Sequence, residues 1–220
     1  MMVLRAGRFI MKKDRQSGFF GGLYHRNETF LILSAVIFLV SIVIGYIHPG
    51  ILDSFLGSQL QNFQKSISEG AIQLTTLSIF TNNFLTALAI YALGFLFGVL
   101  TIWLLFLNGA FVGYVGSKVN VGNFLIFTLP HGVFEITAIV ISGAAGFRLA
   151  SGVFHFLNGV TKLNPTISIR NQLGYLLEAN ADEFKDSLKL FAITVVLLLI
   201  AAIIEANFTI AWGNYIKGVL

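Results

Sequence analysis

The chain has 220 residues, of which 56% are hydrophobic and only 11% are charged, and its mean hydropathy is +0.83. Soluble domains devote about a quarter of their residues to Asp, Glu, Lys and Arg. The composition therefore excludes a cytosolic enzyme, a disordered chain and a nucleic-acid-binding module, and no nucleic-acid partner is expected. The remaining class is a polytopic membrane protein embedded in the lipid bilayer. The absence of Cys excludes disulfides and thiolate metal sites.

The first predicted span is the uncharged apolar stretch 30–47, which follows a basic arm, 1–29. The basic residues of this arm are Arg5, Arg8, Lys12, Lys13, Arg15 and Arg26. The stretch begins late and ends in His48-Pro49-Gly50, so it is not a cleaved signal peptide. The positive-inside rule places the arm in the cytoplasm.

Residues 51–79 have apolar side chains at steps of three or four with polar residues between them, which predicts an amphipathic helix on the outer surface. The uncharged segment 82–117 is too long for one crossing. Two spans, near 83–100 and 101–117, are predicted, with the turn between them within 100–109. Asn108-Gly109 is the obvious turn-forming pair in this segment, and Gly98 to Thr101 is the other candidate.

The fourth span is predicted at 123–147 and contains Pro130, which either kinks the helix or belongs to its first turn. A mixed-charge segment, 149–187, follows and is predicted to be helical and cytoplasmic, packed on the bundle by an apolar stripe. The fifth span is predicted at 188–210. The fold class is therefore all-α, a bundle of about five transmembrane helices in a single membrane domain, 30–212.

Small residues recur at four-residue spacing in three of the predicted spans. This set comprises Gly94, Gly98, Gly109, Gly113, Ala138, Ser142 and Gly146. In lipid, helices associate by close backbone approach along such rows. The rows are interpreted either as packing within one chain or as a homodimer interface.

Two acids, Glu135 and Glu205, lie inside predicted spans. His131 precedes Glu135 by four residues, so both side chains share one helix face. Counting along the helices puts all three in the outer half of the bundle, where Asn83 opens the second span. A charged side chain in hydrocarbon costs about 2.5–3.5 kcal/mol, so such acids are candidate functional residues.

Three interpretations of this polar cluster remain open. It is a hydrogen-bonded network that fixes helix register, a proton or ion path, or a metal site. One imidazole and two carboxylates suit a divalent metal such as zinc with an open coordination position. The sequence contains no Gly-rich phosphate loop, nucleophile elbow or His-Glu-x-x-His run, so no catalytic residue is assigned.

The order of these motifs resembles the stage II sporulation protein M family of integral membrane proteins. The resemblance covers about 30–212 and includes Asn82-Asn83, Asn108-Gly109, the run from Pro130 to Glu135, the Gly143 to Gly146 stretch and the run from Ala201 to Glu205. It implies five spans with a cytoplasmic N-terminus. By this resemblance, the positions that match the family's motifs are His131, Glu135, Glu205, Asn83 and Asn108. The resemblance implies no catalytic role for them.

The family's namesake in endospore-forming bacteria belongs to a membrane complex with a cell-wall hydrolase and acts there as a scaffold. The leading hypothesis is therefore a homo-oligomeric scaffold of the plasma membrane with membrane-protein partners, no cofactor and no enzymatic activity. The alternative is a channel, a transporter or an intramembrane metal-dependent enzyme that uses His131, Glu135 and Glu205.

Overall fold

The computed structural model describes residues 18–68 and 75–219, so most of the predicted basic arm lies outside the described residues. Within these ranges the chain is helical and contains no strand. The α-helices are α1 (Gly18–Ile47), α2 (Pro49–Ser68), α3 (Thr76–Ala92), α4 (Val99–Lys118), α5 (Val121–Val160), α6 (Ile169–Ala179), α7 (Ala181–Asn207) and α8 (Thr209–Val219). Five of them, α1, α3, α4, α5 and α7, are long and apolar enough to cross a membrane. The predicted all-α bundle of five spans is confirmed.

Local sequence signals define several helix boundaries. Pro49 is the first residue of α2, where its fixed φ suits a helix start and its missing N–H has no intrahelical role. Thr75 caps α3 through a reciprocal pair of hydrogen bonds with Ser78. Asn120 caps α5, because its side chain accepts a hydrogen bond from the Asn123 backbone at 3.0 Å.

The turn between the second and third spans differs from the prediction. A short 3-10 helix, Leu93–Phe95, and Gly98 form this turn, so the spans are α3 and α4 rather than 83–100 and 101–117. Phe97 and Gly98 have φ values of 56° and 75°, the left-handed conformation that reverses the chain. Asn108-Gly109 lies inside α4, so the predicted turn within 100–109 is wrong.

The two amphipathic segments also have different boundaries from those predicted. The segment 51–79 is divided: α2 ends at Ser68, and Thr76 already begins the second span. The segment 149–187 contains the end of α5, all of α6 and the start of α7. Pro130 is the tenth residue of α5 and does not lie in its first turn.

The bundle has two distinct ends. Helices α1, α4 and α7 run towards the end where Lys118 closes α4, here called the Lys118 end. Helices α3 and α5 run towards the opposite end, called the Arg148 end. The antiparallel pair α5 and α7 and the parallel pair α1 and α4 make the most extensive contacts.

Buried hydroxyl groups link the helices near the middle of the bundle. Ser34 donates to the Val140 carbonyl at 2.7 Å, Ser142 to the Ala87 carbonyl at 2.7 Å, and Thr194 to the Ala138 carbonyl at 3.2 Å. Hydrogen bonds of this type contribute roughly 0.6 kcal/mol each in membrane bundles. They join α1, α3 and α7 to α5, which is therefore the central helix of the bundle.

Candidate functional site

His131, Glu135 and Glu205 converge in the structure. One ligand atom from each side chain lies within 4.8 Å of the others. His131 Nε2 is 3.9 Å from Glu205 Oε2, too far for a hydrogen bond but suitable for two ligands of one ion. The structure therefore brings together the three side chains on which the metal and ion-path interpretations depend.

The cluster is formed where two helices depart from regular geometry. Helix α7 ends at Asn207, and Phe208 separates it from α8. Opposite this break, α5 contains Pro130, whose missing N–H removes one backbone hydrogen bond from the helix. These two irregularities lie directly beside the cluster, because Glu205 is in the last turn of α7 and His131 follows Pro130.

Thr209, the first residue of α8, orients the imidazole of the cluster. Its Oγ1 lies 3.1 Å from His131 Nδ1 and donates a hydrogen bond to the Ile204 carbonyl at 3.4 Å. In the tautomer with a proton on Nδ1, this hydroxyl accepts from Nδ1–H while it donates to the carbonyl. The Nε2 lone pair is then free and faces Glu205.

The two predicted asparagines are not part of this cluster. Asn83 and Asn108 are both half-buried, on α3 and α4 respectively. Among the described residues, neither side chain makes a hydrogen bond to His131, Glu135 or Glu205. Asn108 is followed in α4 by Gly109, where a Cβ would meet the Phe38 carbonyl of α1.

The predicted small-residue rows pack against neighbouring helices of the same chain. A Cβ on Gly94 would meet the Gly146 carbonyl, and one on Gly113 would meet the Ile42 carbonyl. Ala138 and Ser142 are fully buried. Gly98 differs from the others because it belongs to the left-handed turn and not to a helix face. All seven residues are buried within the chain, which favours packing of the bundle over an interface with a second chain at these positions.

An ion pair at the Arg148 end was not anticipated from the sequence. Asp186 is 1% exposed and accepts two hydrogen bonds from Arg26, at 2.6 and 3.1 Å, and one from Lys189 at 3.2 Å. Beside it, Glu183 lies 3.0 Å from His155 and 3.8 Å from Arg148. These pairs connect α1 and α5 to the first turns of α7.

A second ion pair attaches α2 to the Lys118 end. Asp53 of α2 lies 2.7 Å from Lys118 Nζ and accepts a hydrogen bond from the Tyr114 hydroxyl at 2.6 Å. The Lys118 hydrogen bond, followed by that from Tyr114, holds the pKa of Asp53 below its usual range. Leu56, which is 1% exposed, packs on the same part of α4.

Thr209 is the site residue that the sequence-based analysis missed. The available signal is its position four residues after Glu205, which places both on one face if the helix continues. Asp186 lies in the mixed-charge segment 149–187, which is predicted to be helical and cytoplasmic. Only the packing of α1 on α7 shows that its carboxylate is buried.

The fold defines a polytopic helical membrane protein with five apolar spans. Between α5 and α7 it holds a cluster of one imidazole and two carboxylates. The family model for stage II sporulation protein M matches residues 34–210. The chain belongs to this family, as the sequence motifs predicted. The matched range contains all three cluster residues.

Two relatives in the archaeon Methanocaldococcus jannaschii are uncharacterized proteins. One is 28% identical to this chain, and the match covers 84% of this chain and 83% of the relative. The other is 29% identical over 84% of this chain and 97% of the relative. No solved structure matches the chain.

Proposed function

We propose that the protein is a plasma-membrane assembly protein that self-associates through the Arg148 end and holds other membrane proteins in the resulting oligomer. The observation that carries this proposal is a set of exposed apolar side chains on the part of the bundle beyond Arg148, here called the extension. The set comprises Phe154, Leu157, Ile167, Ile169, Tyr175 and Leu177, which are between 42% and 71% exposed.

Helix length indicates that the extension lies outside the bilayer. A hydrocarbon core about 30 Å thick takes about 20 residues of helix, whereas α5 has 40. The charged groups of Arg148, Glu183 and Asp186 lie at one level and are expected at the membrane boundary. From Arg148 to Val160, α5 then continues about 18 Å into water. Apolar side chains exposed there indicate a protein-binding surface.

The charges of α6 favour a second copy of this chain as the occupant of that surface. Arg170 is in the first turn of α6 and Glu178 in the last, about 12 Å apart along the helix. Two copies of α6 related by a two-fold axis perpendicular to the helix run antiparallel, and in that arrangement Arg170 of each faces Glu178 of the other. Such self-complementarity is what a symmetric dimer interface requires. It also agrees with the scaffold role that the family resemblance implies.

Light scattering of the purified protein in detergent tests self-association. We expect the wild type to have at least twice the protein mass of a monomer, and the double variant Tyr175→Lys, Leu177→Lys to have the monomer mass. Leu129→Lys, at an apolar position exposed near the opposite end, is the matched control and leaves the oligomer intact. A monomeric wild type at micromolar concentration would refute the proposal.

The basic residues support a cytoplasmic N-terminus as part of this proposal. Arg26, Arg148 and Lys189 lie at the Arg148 end by their ion pairs, and five further basic residues, Arg5, Arg8, Lys12, Lys13 and Arg15, precede α1 in the sequence. Since the chain lacks Cys, single cysteines report the orientation without background. In intact cells, an impermeant maleimide is expected to label Ser58→Cys and not Ser168→Cys. The reverse pattern would overturn this orientation.

A further inference from the structure

We propose that His131 Nε2 and one carboxylate oxygen each from Glu135 and Glu205 bind a divalent cation of the zinc class at the Lys118 end. This inference does not depend on self-association, because the residues concerned lie at the opposite end of the α5 and α7 pair. It rests on the direction of the lone pairs, the local charge, the ligand spacing and access from water.

The direction of the lone pairs is the first observation. In the tautomer that donates Nδ1–H to Thr209, the Nε2 lone pair faces Glu205 Oε2 at 3.9 Å. Three acceptor groups thus point at one another, an arrangement that a cation between them stabilises. A second-shell partner on the other imidazole nitrogen is also the usual feature of histidines that bind metal.

The charge around the two glutamates is the second observation. In the described part of the chain, no ion pair joins Glu135 or Glu205 to a lysine or arginine. By contrast, the buried Asp186 at the other end has both Arg26 and Lys189. A carboxylate withdrawn from water is paired with a cation, binds metal or stays protonated, because an isolated charge is expensive to desolvate. A divalent cation would neutralise both glutamates at once.

The spacing of the donors is the third observation. Zinc bonds of about 2.0–2.2 Å place tetrahedral ligands roughly 3.4 Å apart. The donor atoms here lie within 4.8 Å of one another, so small side-chain rotations close the shell. Calcium requires six to eight oxygen ligands and magnesium prefers oxygen in octahedral geometry. One nitrogen and two oxygens therefore favour zinc, with a fourth position for water.

Access from water is the fourth observation. Glu205 is two residues from the end of α7, about 3 Å along the helix, and is therefore close to the membrane boundary at the Lys118 end. Its side chain is 29% exposed, whereas that of His131 is 12% exposed. A hydrated ion can thus reach Glu205 first and bind His131 and Glu135 behind it.

Zinc titration of the metal-stripped, full-length protein in detergent tests the site, with a chromophoric chelator as competitor. We expect one zinc per chain in the wild type and at least 100-fold weaker binding in His131→Ala, Glu135→Gln and Glu205→Gln. His155→Ala is the matched control, because His155 also lies 3.0 Å from a glutamate but on the opposite end. It is expected to bind zinc as the wild type does.

Thr209→Val tests the positioning role of the hydroxyl while keeping the side-chain shape. We expect it to weaken zinc binding by about 10–100-fold, the usual effect of removing a second-shell partner. Zinc-edge X-ray absorption of the wild type is expected to show one imidazole and two carboxylates, and this measurement does not depend on any variant folding. Failure of the wild type to bind zinc, zinc binding unchanged in Glu205→Gln, or an absorption spectrum without imidazole would overturn the proposal.

Discussion

Gly113→Ala is expected to destabilise the bundle by separating α1 from α4. Gly113 faces the backbone of α1, where an added Cβ would lie 2.9 Å from the Tyr46 nitrogen and closer still to the Ile42 carbonyl oxygen. Both neighbouring atoms are backbone, so no side-chain rotation relieves the contact. The two helices must therefore move apart along their whole interface.

The magnitude follows from two opposing effects. Close carbon–oxygen contacts between helices are about 3.3–3.6 Å, so α1 and α4 must separate by roughly 1.5 Å. Overpacking of this kind costs about 1–3 kcal/mol. Alanine favours the helix over glycine by about 1 kcal/mol, which offsets part of that loss. The separation also loosens the contacts of Gly45 and Gly109 in the same interface, so we expect a net loss of about 1–2 kcal/mol.

Reversible unfolding in mixed micelles by SDS titration, followed by circular dichroism, measures this loss. Gly116→Ala is the control, because its added Cβ would lie 3.5 Å from the Phe124 ring, an ordinary contact. We expect the midpoint to fall for Gly113→Ala and to stay or rise for Gly116→Ala. A midpoint for Gly113→Ala equal to that of Gly116→Ala would refute the close approach of the two helices.

The remaining predictions concern the two ion pairs. Arg26→Ala leaves the buried Asp186 with Lys189 alone and should cost about 3 kcal/mol in the same titration, whereas the exposed Lys185→Ala should cost almost nothing. The pKa of Asp53 is lowered in the folded protein, so its bonds to Lys118 and Tyr114 hold α2 in place at any pH above the ordinary carboxyl pKa of about 3.9. This attachment is lost as the pH falls through the lower pKa that Asp53 has in the folded protein. A fluorophore on Ser58→Cys should become more mobile over that range. In Asp53→Asn its mobility should not depend on pH.

The number of spans and the polar cluster could be predicted because both depend on local spacing. An apolar stretch of about 20 residues crosses the bilayer wherever its neighbours lie. His131 and Glu135 share a helix face for the same reason, at i and i+4. Counting residues from the helix ends then brought Glu205 to a similar depth, and the structure places it beside them.

The sequence left the turn between the second and third spans open between Asn108-Gly109 and Gly98 to Thr101, because glycine serves two purposes that look identical in sequence. The second candidate contains Gly98 of the observed turn. Gly109 allows α4 to approach Phe38 of α1, whereas Gly98 adopts the left-handed conformation of the turn. Asn108 beside Gly109 resembles a turn pair, yet the contact with α1 keeps that segment helical. Which glycine breaks the helix depends on a neighbour far away in sequence.

The two proposed sites share α5 but are expected to act independently. Glu135 and Phe154 are separated by about 28 Å of helix. Between them, the carbonyls of Ala138 and Val140 accept hydrogen bonds from Thr194 and Ser34, so the middle of α5 is held by contacts that neither site contains. We therefore expect any movement at the cluster to be taken up at Phe208, where α7 ends and α8 begins. Zinc loading should tighten that break without changing the oligomer formed at the Arg148 end.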